Sequence, residues 1–157
     1  MHHAPCTKIT HQTHPLPKRF AAVDGMCHTL AMSDEQGTTN GKIDAAALAR
    51  HIVFSIEDRK GEDIVMLDLN NVAPIADYFV IATADNERQL GALRRSVEES
   101  VQKELGLKPS LVEGNIESGW ILLDYNWVMV HIFGRAQRAY YRLESLWDDA
   151  AVVLRVQ

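Results

Sequence analysis

The sequence predicts a mixed α/β domain with a five-stranded sheet and flanking helices. Three observations point to this class. From Ile43 onward, stretches with a 3.6-residue apolar period alternate with continuous apolar runs, in the order α-β-β-α-β-β-β-α. A strand, a crossover helix and another strand imply one parallel pairing. Finally, Gly119 to Trp147, GWILLDYNWVMVHIFGRAQRAYYRLESLW, reads as an antiparallel hairpin running straight into an amphipathic helix.

Each element has a local reason. Asp44 can cap a first helix bearing Leu48, Ile52 and Ile56 at i, i+4 and i+8. Gly61 stops it after Arg59-Lys60. Ile64 to Leu69 is an apolar run broken only by Asp68, which fits a buried strand. Asn70-Asn71 and Pro74 turn the chain, and Asp77 fixes the entry into a second strand, Tyr78 to Thr83. Asp85 then caps a helix with Leu90, Leu93, Val97 and Val101 on one stripe, and Gly106 ends it. Ser110 to Glu113 is a short strand before the hairpin. Tyr140, Leu143 and Trp147 form the apolar stripe of the last helix.

The hairpin carries the candidate site. With Tyr125-Asn126 at its tip, Leu123 pairs with Val128, Ile121 with Val130 and Trp120 with His131. Asn126 is the tip residue best able to adopt a positive φ. Side chains alternate faces along a strand. One face therefore holds Ile121, Leu123, Val128, Val130 and Ile132, a core pattern. The other holds Trp120, Leu122, Asp124, Trp127, Met129, His131 and Phe133. A face mixing two Trp, Met, His and Asp suits a protein partner. The alternative is that a helix covers it as a second core layer.

Composition sets the outer bounds. A chain of 157 residues with 46% hydrophobic content can build one domain with a substantial core. A net charge of −5 argues against a general nucleic-acid binder, and no apolar run approaches the ~18 residues of a membrane span. Residues 1–42 read as a disordered extension. Five of the seven histidines lie there, with both cysteines, Cys6 and Cys27, and three of the five prolines. Met32-Ser33-Asp34-Glu35 looks like an ordinary start of translation. The domain is expected over 43–150, with 151–157 as a C-terminal tail. The cysteine-free remainder fits a reducing, cytoplasmic setting. The spacing of Cys6 and Cys27 matches no closed zinc site.

A search for catalytic constellations finds little. No dinucleotide fingerprint, phosphate-binding loop, zinc-protease helix or nucleophile elbow is present, so no cofactor or metal is assigned. Asp85 and Glu87, two residues apart just after a strand, could hold a divalent metal for phosphoryl transfer. The competing account is a helix cap plus an acid favoured by the helix dipole. His131 has no acidic partner near it in sequence that would make it a general base.

The residues also carry a family resemblance. Asp63-Ile64-Val65, Ala76-Asp77-Tyr78-Phe79-Val80-Ile81-Ala82, Arg88-Gln89, Val112-Glu113-Gly114, Trp120 to Tyr125 and Val130 to Phe133 stand in one register. The last block joins Arg138, Tyr141, Leu143-Glu144 and Leu146-Trp147. From about Ile43 to Asp149 the chain resembles the ribosomal silencing factor family, also called RsfS or Iojap-like. The resemblance implies a nucleotidyltransferase-like shape without known transferase activity. It also implies docking on a protein of the large ribosomal subunit, the fourteenth in the uniform naming, at the face that meets the small subunit. Blocking subunit joining there would repress translation under nutrient limitation. Organellar members lean towards large-subunit assembly. The expected partner-binding residues are Trp120, Leu122, Asp124 and His131 on the hairpin, with Tyr78, Arg88 and Tyr141 from the family motifs. A homodimer off the ribosome is a further possibility, as is a nucleotidyltransferase-like enzyme using Asp85 and Glu87. Two departures stand out. Asn126-Trp127 replaces the family's usual Gly-Asp in the hairpin turn, and Ala82 replaces the glycine that ends the second strand.

Overall fold

A computed structural model describes residues 44–157. The N-terminal extension, with Cys6, Cys27 and Met32, lies outside the described residues. The elements are α1 (Ala45–Asp58), β1 (Glu62–Asp68), β2 (Tyr78–Ala84), α2 (Glu87–Leu105), β3 (Leu111–Asn115), β4 (Trp120–Asp124), β5 (Val128–Gly134), α3 (Arg135–Tyr141) and β6 (Ala151–Val156). A 3-10 turn, Leu143–Trp147, follows α3.

Among the described residues the sheet has six strands in the order β3-β4-β5-β2-β1-β6, one more than the sequence implies. The sixth is the stretch expected to be a tail. Residues 151–156 pair antiparallel with β1, Ile64 facing Val156 and Asp68 facing Ala151. Among the described residues the one parallel pair is β2 with β5, joined through the α2 crossover and the β3–β4 antiparallel pair.

Helix α1 forms as expected. Asp44 accepts a hydrogen bond from the Ala46 N–H, and Leu48, Ile52 and Ile56 are fully buried. In α2 the stripe of Leu90, Leu93, Val97 and Val101 packs inward, and Gly106 closes the helix at φ 66. Its cap is not Asp85 but Asn86, whose side chain accepts from the Gln89 N–H. Two hydroxyl contacts cross between the helices. Ser55 meets Ser96, and the Ser100 hydroxyl lies 2.5 Å from His51 Nε2.

The hairpin register differs from the expected one by two residues. Leu123 faces Val130, Leu122 faces His131 and Trp120 faces Phe133. Tyr125 N–H donates to the Val128 carbonyl, so the tip is Asn126-Trp127, with Asn126 at φ 70. The Asp124 carboxylate accepts from the Asn126 N–H at 2.7 Å and sets this turn one residue later. A shift of two leaves the faces unchanged, because the side-chain period is two. Ile121, Leu123, Val128, Val130 and Ile132 do form one core with α1 and α2. Tyr125 joins that core.

The last helix is shorter than its stripe implies. It stops at Arg142, which takes a left-handed φ of 43, and the chain continues as the 3-10 turn. Tyr140 therefore falls off the apolar stripe and is 78% exposed, while Leu143 is buried.

Candidate functional site

The mixed hairpin face is a second buried layer. Trp120 is 4% exposed, and Leu122, Asp124 and His131 are fully buried. Trp120 and Leu122 join Val65, Leu67, Phe79, Ile81, Met129, Phe133 and Leu143, against which Ile75, Tyr141 and Trp147 pack, and the His131 ring lies against Phe79 and Trp120. The expectation that these four hairpin side chains form an exposed contact surface is thus corrected for the isolated chain. The covered alternative is the one observed. The physical reason is the chain's return: after β5 it crosses this face through α3 and the 3-10 turn before pairing β6 with β1.

An aromatic lattice fills the layer. Trp120 stacks at a tilt on Phe133 and on Tyr141, each with centroids 4.7 Å apart. Phe79 meets His131 edge-on at 4.9 Å and Trp147 at 5.8 Å. Such pairs add stability beyond the buried area. Burial, with a smaller contribution from the Arg138 charge, lowers the His131 pKa to about 3, so the ring is neutral at physiological pH. On the opposite core, burial and then the Glu98 carboxylate push the Tyr125 phenol upward.

Arg138 anchors the covering segment. Its guanidinium donates to the Asp63 carbonyl at 3.0 Å and to the Glu144 carboxylate. Burial lowers the Arg138 pKa, and Glu144 opposes that shift. These groups, with Val65 and Arg155, line a polar cavity of about 240 Å³. Asp63 sits at φ 45 beside a bulge in β1, which aims its carbonyl at Arg138.

The other expected residues do not share one patch. Tyr78 opens β2 and is half-buried beside the Asn126-Trp127 turn, whose Trp127 carbonyl accepts the Tyr78 N–H. Arg88 is exposed in the first turn of α2, beyond the other end of β2. Tyr141 is half-exposed over Trp120. Burial, then Tyr140, raises the Tyr141 pKa. The covering segment also carries two residues that the sequence reading did not single out as contacts. Tyr140 meets the Tyr141 ring edge-on, and Leu146 is 64% exposed. A signal existed for Leu146, since it lies outside the expected stripe. Tyr140 was masked by its place within that stripe.

The possible acid pair is tied up differently from a metal site. Asp85 accepts from Arg135 Nε at 2.9 Å, and Arg135 also contacts Glu62 at 2.6 Å. Glu87 lies in the first turn of α2. Among the described residues, no three His, Cys, Asp or Glu side chains are grouped to hold a metal ion, and no helix is long and apolar enough to cross a membrane. Ala82, which stands where the family has glycine, is fully buried under the helices.

This mixed sheet, with helices on one face and an anchored α3 segment on the other, defines an α/β domain stabilised on both faces. The family model described as "Ribosomal silencing factor during starvation" matches residues 42–157, and the chain belongs to that family. It is 37% identical over 101 residues to the ribosomal silencing factor RsfS of Halalkalibacterium halodurans, covering 64% of this chain and 86% of that protein. The chloroplastic Iojap protein of Arabidopsis thaliana is 28% identical over 109 residues, covering 65% of this chain and 44% of that protein. A crystal structure from Chromobacterium violaceum superposes with a TM-score of 0.64 at 33% identity, over 68% of this chain and 88% of that one. A second, from Bacillus halodurans, gives 0.59 at 29% identity, over 71% and 98%.

Proposed function

We propose that this protein represses translation by binding the large ribosomal subunit and sterically excluding the small one. The fourteenth large-subunit protein is the docking partner, and nutrient limitation is the setting. The observation that carries this reading is the family match over residues 42–157, supported by curated relatives named as ribosomal silencing factors. The action is that of a non-enzymatic cytoplasmic regulator and needs no cofactor.

The contact is made by the covering segment rather than by the hairpin side chains themselves. Tyr140, Tyr141 and Leu146 present an aromatic and aliphatic surface on a segment held by the Arg138–Glu144 ion pair. Exposed aromatic anchors on a rigid support are the usual carriers of binding energy. Trp120 and His131 act from beneath as positioning residues, since Trp120 stacks directly on Tyr141.

The test is co-sedimentation of the purified protein with isolated subunits. Binding to the large subunit and not to the small one is expected. Tyr140→Ala with Leu146→Ala should weaken binding by about tenfold or more, which corresponds to 1.4 kcal/mol or more. The fold should hold, because both side chains are exposed. Full binding by a folded double variant would move the contact elsewhere. Binding to neither subunit would remove the reading altogether.

A further inference from the structure

We propose that the polar cavity beside Arg138 binds a free amino acid, holding its α-carboxylate at Arg155 and its α-ammonium at Asp63. The site is independent of the ribosome reading. Its walls come from three parts of the fold. Asp63 stands at the bulge of β1, Arg138 and Glu144 belong to the covering segment, and Arg155 lies on β6. Arg155 pairs opposite Val65, and directly opposed residues on neighbouring strands share a face. Its side chain therefore stands on the α3 side of the sheet, where Val65 belongs to the buried layer.

The four charged groups do not consume one another. Among the described residues one ion pair forms in the cavity, Arg138 with Glu144. Arg138 also donates to the Asp63 carbonyl, but its other terminal nitrogen, Nη1, is buried and donates to no protein group. The Asp63 carboxylate and the Arg155 guanidinium both lie close enough to act on the Arg138 charge. Among the described residues, neither of these two enters an ion pair. One unpaired acid and one unpaired base thus line the same small space. A ligand with a single charge satisfies one of them and is repelled by the other, whereas a zwitterion satisfies both. A free amino acid carries both charges on one carbon, and a peptide end carries only one of them. The volume agrees, since about 240 Å³ lies below the roughly 300–1,000 Å³ of pockets for drug-sized ligands. Asp63 and Arg155 are exposed, so solvent and salt screen them. Binding is therefore weak, with a Kd of about 1 mM, and falls with added salt.

The test is nuclear magnetic resonance of the full chain titrated with L-alanine, whose main-chain charges are the recognised groups. Saturable shifts at Asp63, Val65, Arg138 and Arg155 are expected. Acetate and methylammonium, each with one of the two charges, should bind about tenfold more weakly or worse. Arg155→Gln and Asp63→Asn should each weaken alanine binding about tenfold or more. Both side chains are exposed, and Asn tolerates the left-handed φ of Asp63, so the fold holds in either variant. No saturable shift with alanine overturns the proposal. So does acetate binding as tightly as alanine, which leaves a plain anion site, or a folded variant that binds alanine as the parent does.

Discussion

Trp120 and Ile121 are neighbours in sequence and point into opposite cores. Because both are buried, both substitutions to alanine should destabilise the domain, Trp120→Ala by about 3–5 kcal/mol and Ile121→Ala by about 2–5 kcal/mol. Urea unfolding of the two variants checks this. A Trp120→Ala variant as stable as the parent would mean that the layer over it is not packed. His131 makes a second residue-scale prediction. Its folded pKa of about 3 lies below the ordinary value of 6.5, so the unfolded chain takes up a proton that the folded one excludes. Stability is complete above about pH 6.5 and falls as the pH drops towards 3, by at most about 1.4 kcal/mol per pH unit from this group. His131→Gln should flatten that dependence when urea midpoints are followed from neutral to mildly acidic pH. An unchanged slope would show that His131 is not the group responsible.

At the scale of elements, the caps give a sharp comparison. Asn86→Ala removes the side chain that holds the first turn of α2 and should cost about 0.5–2 kcal/mol. Asp85→Ala breaks only an exposed pair with Arg135 and should cost less than the loss of the cap. Melting of the two variants distinguishes them, and a larger loss from Asp85→Ala would reverse the cap assignment. This pair also shows what local sequence can and cannot carry. Asp85 and Asn86 are both good caps, and the choice is coupled to Arg135, fifty positions away. The stripes of α1 and α2 were legible because a 3.6-residue period needs no distant information. The two hairpin faces were legible for the same reason, although the register was not. The expected tip lay one residue early because the Asp124 carboxylate settles the turn. The break at Arg142 follows from tertiary anchoring of Arg138 to Asp63 and Glu144, which no periodicity reveals. Strand β6 had an ordinary strand composition, but its partner β1 lies far upstream, and the sequence offers no local sign of that pairing. For the candidate site, the aromatic and polar face was legible, whereas its burial was not. The covering segment reaches it only through the fold.

At the scale of the molecule, the central strands β2, β4 and β5 are buried on both faces, so the working surface lies on what covers them and on the sheet's ends. That favours a rigid steric block over a site that closes around a substrate. The central claim is the exclusion of the small subunit, and light scattering during subunit joining tests it most directly. Isolated large subunits are incubated with increasing amounts of the protein before small subunits are added. The account predicts that joining falls in a saturable way as the large subunits fill, and that the Tyr140→Ala, Leu146→Ala variant needs about tenfold more protein for the same effect. Undiminished joining with large subunits shown to be fully occupied would contradict it and leave a role in large-subunit assembly.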